Sequence, residues 1–256
     1  MTRRTRFATA LVATVVALAA CGGSSAPPID DPKEILVKAV EALRGATTFQ
    51  FRADVSGAVP LDLTGTGSGQ PLDISGTTVE GAFDVANERA RLSFKVPMLL
   101  NATGELIVVD KVAYVKVSLI GPKYQKFDAG SEPDGLDVPT DPKASLDELR
   151  ASLDELTTPP QKLANERCGD VDCYHVQIAV DPAAMGLAGD EQVTATVDVW
   201  VRTNDLRPAK VRLASDAGAE GSVTISVELF GYDEAVSIAA PPADQVEEGT
   251  LPFPSP

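Results

Sequence analysis

The chain has 256 residues, a formal net charge of −15, 44% hydrophobic residues and 23% charged ones. That is ample for a real core, as one large domain or two small ones. An acidic body excludes nucleic acid as a partner and argues against lying flat on anionic lipid headgroups.

The amino terminus reads as a leader. Arg3, Arg4 and Arg6 precede an apolar run from Phe7 to Ala20, too short and too alanine-rich to span a bilayer, which takes about 20 residues. Leu18-Ala19-Ala20-Cys21 has the pattern of a bacterial lipobox, in which the Cys21 thiol receives a diacylglycerol and residues 1–20 are cut away. The leader takes three arginines and no acid with it, so the net charge moves from −15 to −18. Residues 21–30 then form the acylated cysteine and a flexible linker.

A helix follows. Asp31 is its N-cap, Pro32 suits its first position, and Glu34 completes a capping-box-like spacing. Ile35, Leu36, Ala39, Val40 and Leu43 make one apolar stripe that Gly45 ends. From residue 48 the period changes to two, in TFQFRADV, TVEGAFDV and RARLSFKV. Apolar Val96-Pro97-Met98-Leu99-Leu100 reads as an edge or loop because of its proline. ELIVVDKVAYVKVSLI over 105–120 reads as two strands joined at Asp110-Lys111.

A second helix is expected over 143–156, with Leu146, Leu149, Leu153 and Leu156 on its core face and Pro159-Pro160 beyond its end. In the carboxy-terminal part Val197, Val199 and Val201, then Val211 and Leu213, then Val223, Ile225, Val227 and Leu229 alternate with polar residues. This is an antiparallel meander with one wet and one apolar face. The folded body spans 31–238 as a single domain, and 239–256 reads as a disordered tail.

Cys168 and Cys173 frame CGDVDC between strand-like flanks. In an exported protein they form a disulfide across a short hairpin, a clip worth about 2 kcal/mol. Asp170 and Asp172 are too few oxygen ligands for a cation site. His175 alternates away from Tyr174, Val176 and Ile178, which places it on the wet face of its strand. GTGSGQ lacks nucleophile-elbow spacing, and neither a phosphate loop nor a zinc pattern is present. The reading is not an enzyme, with no cofactor and no metal.

Roughly ten strands and two helices leave a mismatch. Ten strands spaced about 4.8 Å apart make a sheet on the order of 48 Å wide, whereas a helix covers about 10–12 Å. Periodicity alone leaves open whether the sheet bends round its helices, closes on a filled core, or keeps an apolar hollow.

Taken in order, the lipobox, the first helix running into TFQFRADVSG, the hairpin GELIVVDKVAYVKVSLIGPKYQKF, the second helix before ANERCGDVDCYHVQIAVDP, and VDVWVRTNDLRPAKVRLAS with VTISVELFGYDEAVSIAAPP resemble the actinobacterial lipoprotein family that includes LppX, LprA, LprF and LprG. Two departures stand out. Asp110-Lys111 replaces the usual Asp-Gly, so the turn is expected to differ from type I′, and CGDVDC replaces a cysteine-free turn.

The resemblance implies an α+β fold similar to LolA and LolB: a strongly curved antiparallel sheet, like a half-barrel, with helices on the concave face enclosing a hydrophobic cavity. It implies a monomeric carrier lipid-anchored through Cys21 to the outer face of the plasma membrane. This carrier takes up acyl chains of lipids or glycolipids in the cell envelope, with a membrane transporter as a further partner. Phe49, Phe51, Phe83, Leu92, Phe94, Val115, Val117, Val197 and Val199 would line the cavity, and Met98, Leu99 and Leu100 would border its entrance. The alternative is a tethered, non-enzymatic interaction protein with a filled core that modulates a membrane partner.

Overall fold

Helix α1 (Pro32–Arg44) starts as its sequence dictates. The Asp31 carboxylate accepts from the amides of Lys33 at 2.8 Å and Glu34 at 3.4 Å, with Pro32 in the first turn. Its stripe of Ile35, Leu36, Ala39, Val40 and Leu43 is buried. The computed structural model describes residues 28–60, 71–128, 142–180, 193–218 and 221–249. The leader, Cys21, the GTGSGQ stretch and residues 250–256 lie outside them.

The strands form one unclosed, curved sheet, antiparallel but for one pair. They are β1 (Thr48–Pro60), β2 (Pro71–Asp73), β3 (Thr77–Asp84), β4 (Arg89–Val96), β5 (Ala102–Val109), β6 (Val112–Val117), β7 (Tyr124–Asp128), β8 (Gln161–Lys162), β9 (Glu166–Cys168), β10 (Val171–Val180), β11 (Thr194–Arg202), β12 (Pro208–Asp216), β13 (Ser222–Phe230) and β14 (Val246–Glu248). The expected ten long strands are joined by pieces of two or three residues, too short for any periodicity to reveal.

Strand order explains the architecture. β3 to β7 form one meander and β10 to β13 another, and β1 is the seam, paired with β3 on one side and β13 on the other. The register puts Phe49, Phe51, Ala53 and Val55 of β1 in line with Phe83, Gly81, Val79 and Thr77 of β3. Leu229, Val227 and Ile225 of β13 follow on the other side. The alternation therefore gathers one apolar face across both meanders.

Helix α1 lies on this face over the second meander, packing on Tyr174, Val176, Ile178, Val199 and Val201. Helix α2 (Pro142–Ser152) runs antiparallel beside it, with Lys33 paired to Asp154 and Arg44 to Asp147. It stops four residues before the expected end, and Leu149 is exposed rather than packed. Only Leu146 and Leu153 of its stripe are buried, the first against Leu43 and Phe49, the second in the α1 cluster.

One turn and one terminal segment correct the sequence reading. Asp110 and Lys111 take φ of 53° and 62°, so the hairpin keeps positive φ at both central positions although the glycine is absent. Aspartate tolerates this conformation, and the right-handed twist of the flanking strands favours it. The tail expected to be disordered is ordered from 239 to 249. Ile238 is buried against Ile107, Val109 and Tyr124 on the outer face of the first meander, Val246 packs there too, and β14 pairs in parallel with β7. That cover explains why β5 is apolar on both faces.

Candidate functional site

Among the described residues the apolar face divides into an end that the helices cover and an end that no described helix covers. At the covered end Phe49, Val85, Val176, Val199 and Val201 are buried beneath the helices. Towards the other end of the strands, Phe51, Val55, Val79, Phe94, Val117, Leu213, Ile225 and Val227 are only half-buried, and none of them belongs to a described core cluster. They occupy neighbouring strands from β6 to β12 and so form a belt. Seven strands at about 4.8 Å spacing extend on the order of 30 Å along the curve.

Two glycines shape the floor of this belt. Gly81 sits opposite Phe51 in the ladder, and a Cβ there would lie 2.3 Å from the Phe51 ring. Gly104 sits opposite Phe94, and a Cβ there would lie 2.1 Å from that ring. The missing side chains let both phenyl rings lie down on the neighbouring strand instead of standing up into the space above. Phe51 also stacks on Phe83, and Phe83 on Phe49, with centroids 5.9 Å and 4.9 Å apart. The result is an aromatic floor without projections.

The expected lining residues therefore separate. Phe51, Phe94 and Val117 lie in the half-buried belt, and Val115 is buried beside it. Phe49, Val197 and Val199 pack with the helix clusters, Leu92 packs with Ala90, Val108 and Ala113, and Phe83 bridges the two sets. Met98, Leu99 and Leu100 occupy the turn between β4 and β5 at the uncovered end, Met98 half-buried and the two leucines exposed. The floor-forming role of Gly81 and Gly104 was missed, since a glycine within a strand pattern announces close approach without naming the ring that approaches.

The outer face of the second meander carries a polar layer. His175 is not on a wet face: it is 6% exposed and stacks on Trp200 at 4.4 Å. Its Nδ1 lies 2.9 Å from Glu166 and its Nε2 2.9 Å from Asp198. Asp198, 1% exposed, also accepts from Gln177 at 3.0 Å and Arg212 at 2.8 Å, and Trp200 Nε1 donates to Glu166 at 2.9 Å. Burial opposes the charge on Asp198, but hydrogen bonds from Arg212, His175 and Gln177 outweigh it and hold the carboxyl below its ordinary range. Glu166 is lowered mainly by the Trp200 indole.

Glu166 is brought there by β9, whose hairpin with β10 is closed by the Cys168–Cys173 disulfide. Both imidazole nitrogens are engaged, so the cluster is a closed charge network. No group of three or more His, Cys, Asp or Glu side chains placed to hold a metal ion occurs among the described residues, Asp170 and Asp172 included. Among the described residues no helix is long and apolar enough to cross a membrane.

No protein-family model matches the chain, and neither does any curated protein sequence. Solved structures do. LprF from Mycobacterium bovis superposes with a TM-score of 0.51 at 17% identity, covering 82% of this chain and 96% of that one. The Mycobacterium tuberculosis lipoprotein LppX gives 0.50 at 11% identity, covering 81% and 98%. A LolA superfamily protein from Nitrosomonas europaea aligns over 84% and 97% of the two chains at 13% identity, but its TM-score of 0.28 is too low to bear on the architecture. The chain thus has the fold of LprF and LppX, a curved sheet with helices on its apolar face.

Proposed function

We propose that the chain is a membrane-anchored lipoprotein that holds the acyl chains of a lipid or glycolipid against the uncovered apolar belt and carries them within the cell envelope. The observation that carries this reading is the belt itself: large apolar residues, half-buried, over a floor flattened at Gly81 and Gly104. An alkyl chain laid there gains about 0.8 kcal/mol per buried CH₂, while a polar headgroup stays in water. Binding and release need no bond made or broken. The lipobox cysteine Cys21 would tether the body to the outer face of the plasma membrane through the linker 22–30.

The test is native mass spectrometry of residues 22–256, which contain every described element, made without the acyl anchor in a bacterial host. The expected result is a complex that releases lipid on denaturation. Val117→Trp, which fills the belt from its floor, is expected to fold and lose that lipid. A protein that stays bare after incubation with an envelope lipid extract overturns the carrier reading in favour of a tethered interaction protein with a filled core.

A further inference from the structure

The turn between β4 and β5 and the loop between β6 and β7 stand side by side at the uncovered end of the sheet. The Ser118 amide donates to the Thr103 carbonyl at 2.8 Å, and the Thr103 amide to Ser118 Oγ at 2.9 Å. The paired tips display Leu100 at 87% exposure, Leu119 at 57%, Leu99 at 48% and Ile120 at 40%, four of the seven large hydrophobic residues exposed among the described ones. Leu100 is held outward with φ of 54°, a left-handed conformation that a leucine rarely adopts.

Charge is distributed unlike the rest of the chain. Segments 94–104 and 115–125 contain Lys95, Lys116 and Lys123 and no Asp or Glu, within a protein of net charge −15. None of the three lysines is ion-paired among the described residues. On the outer face just behind the tips is a hollow of about 690 Å³ bordered by Lys116, the hydroxyl-bearing Ser93, Thr103 and Ser118, and Glu105, whose charge is met by Arg91. On the inner face behind them lie Phe94, Gly104 and Val117, the edge of the belt.

Apolar side chains at a tip, ringed by lysines, match the chemistry of an anionic bilayer surface, with acyl chains beyond the phosphates. We propose that turns 97–101 and 118–121 form a membrane-docking tip, with Leu99, Leu100, Leu119 and Ile120 inserted below the phosphates and Lys95, Lys116 and Lys123 among them. The net charge of −15 then disfavours contact through acidic surface and leaves this acid-free tip to touch. Docking stands without the carrier reading. With it, docking sets the open end of the belt against the membrane that supplies or receives the lipid.

The experiment is co-sedimentation of residues 22–256 with vesicles of phosphatidylglycerol and, separately, of phosphatidylcholine. The anchor-free protein is expected to bind phosphatidylglycerol preferentially and to be released as salt is raised. Leu100→Ser with Ile120→Ser is expected to weaken that binding on the order of tenfold per side chain. Lys95→Gln, Lys116→Gln and Lys123→Gln together weaken it by roughly a hundredfold. All five positions are at the surface or half-exposed, and unchanged unfolding midpoints confirm intact variants. No sedimentation with phosphatidylglycerol, or serine variants that bind like the parent, overturns the proposal. So does a parent that dimerises through these leucines while ignoring vesicles. Protein that docks but co-purifies bare defeats only the carrier reading, and lipid-loaded protein that never docks defeats only the tip.

Discussion

The two meanders share a sheet and an alternating sequence pattern, yet they are finished differently. The second is closed on both sides over β10 and β11, with α1 on their inner face and the Glu166–His175–Asp198–Arg212 layer on the outer one, and only its β12 and β13 reach into the belt. The first is closed outside by the carboxy-terminal segment around Ile238 and Val246, while its inner residues Phe94 and Val117 stay half-buried. An apolar face therefore supports folding only where something covers it. Towards the other end the same kinds of residue, Phe51, Phe94 and Val117 among them, are half-buried and join no described core cluster.

The largest effect expected is in the closed meander. Asp198→Ala leaves Arg212 and His175 without their shared carboxylate in a buried layer, and should cost about 3–5 kcal/mol of unfolding free energy by urea titration. The same carboxylate predicts an acid response. Its folded-state pKa is depressed, so its stabilisation is present above the ordinary aspartate value of about 4 and is lost as pH falls through the folded value. Asp198→Asn should flatten that acid slope. A slope identical to the parent's would show that another carboxylate carries it.

Next comes a paired test of the two ends of the apolar face. Ile35→Ala, in a fully buried position of α1, should lose about 2–5 kcal/mol. Val117→Ala, in the belt, should lose less than about 1 kcal/mol, because its side chain leaves no sealed cavity behind. Equal losses at the two sites would mean that the belt is ordinary core, and the contrast between the meanders would fall.

Much of this division is legible in the sequence. Alternation in TFQFRADV, RARLSFKV and SVTISVELF places the apolar face correctly, because a period of two cannot slip without exposing it. The α1 boundaries were readable because caps are local chemistry. What escaped depended on partners distant in sequence. His175 alternates as a solvent-facing residue should, and only the register His175↔Trp200 with Gln177↔Asp198, plus Glu166 arriving from β9, reveals that it is covered. The carboxy-terminal segment escaped because Ile238 and Val246 are too sparse among prolines and acids to show a period. The belt was half-legible: its residues are an alternation, but its flatness requires the pairings Phe51↔Gly81 and Phe94↔Gly104.

A smaller effect tests how the outer layer of the closed meander is held. The disulfide closes the hairpin that carries Glu166 to His175 and Trp200. Replacing both Cys168 and Cys173 by serine should cost about 2 kcal/mol, since the closed loop is short. The chemical environment of Trp200 should change with it, because its indole donates to Glu166. Tryptophan fluorescence reads this directly, as Trp200 is the chain's one tryptophan. An unchanged spectrum would show that strand pairing alone positions Glu166.

The smallest effect separates the two helices that cover the closed meander. α1 is fixed by a continuous buried stripe, whereas α2 buries Leu146 and Leu153 and leaves Leu149 in solvent. Its links to α1, Lys33 with Asp154 and Arg44 with Asp147, join side chains that are roughly half exposed. Pairs of that kind contribute a few tenths of a kcal/mol and are screened by salt. A double-mutant cycle on Arg44 and Asp147 should give a coupling below about 1 kcal/mol. Hydrogen exchange should follow the same order, with α2 amides exchanging through local opening and those of α1 only near global unfolding. If α2 proves as protected as α1, the cover is one rigid unit, and the boundary between the closed and open regions lies at its edge instead of within it.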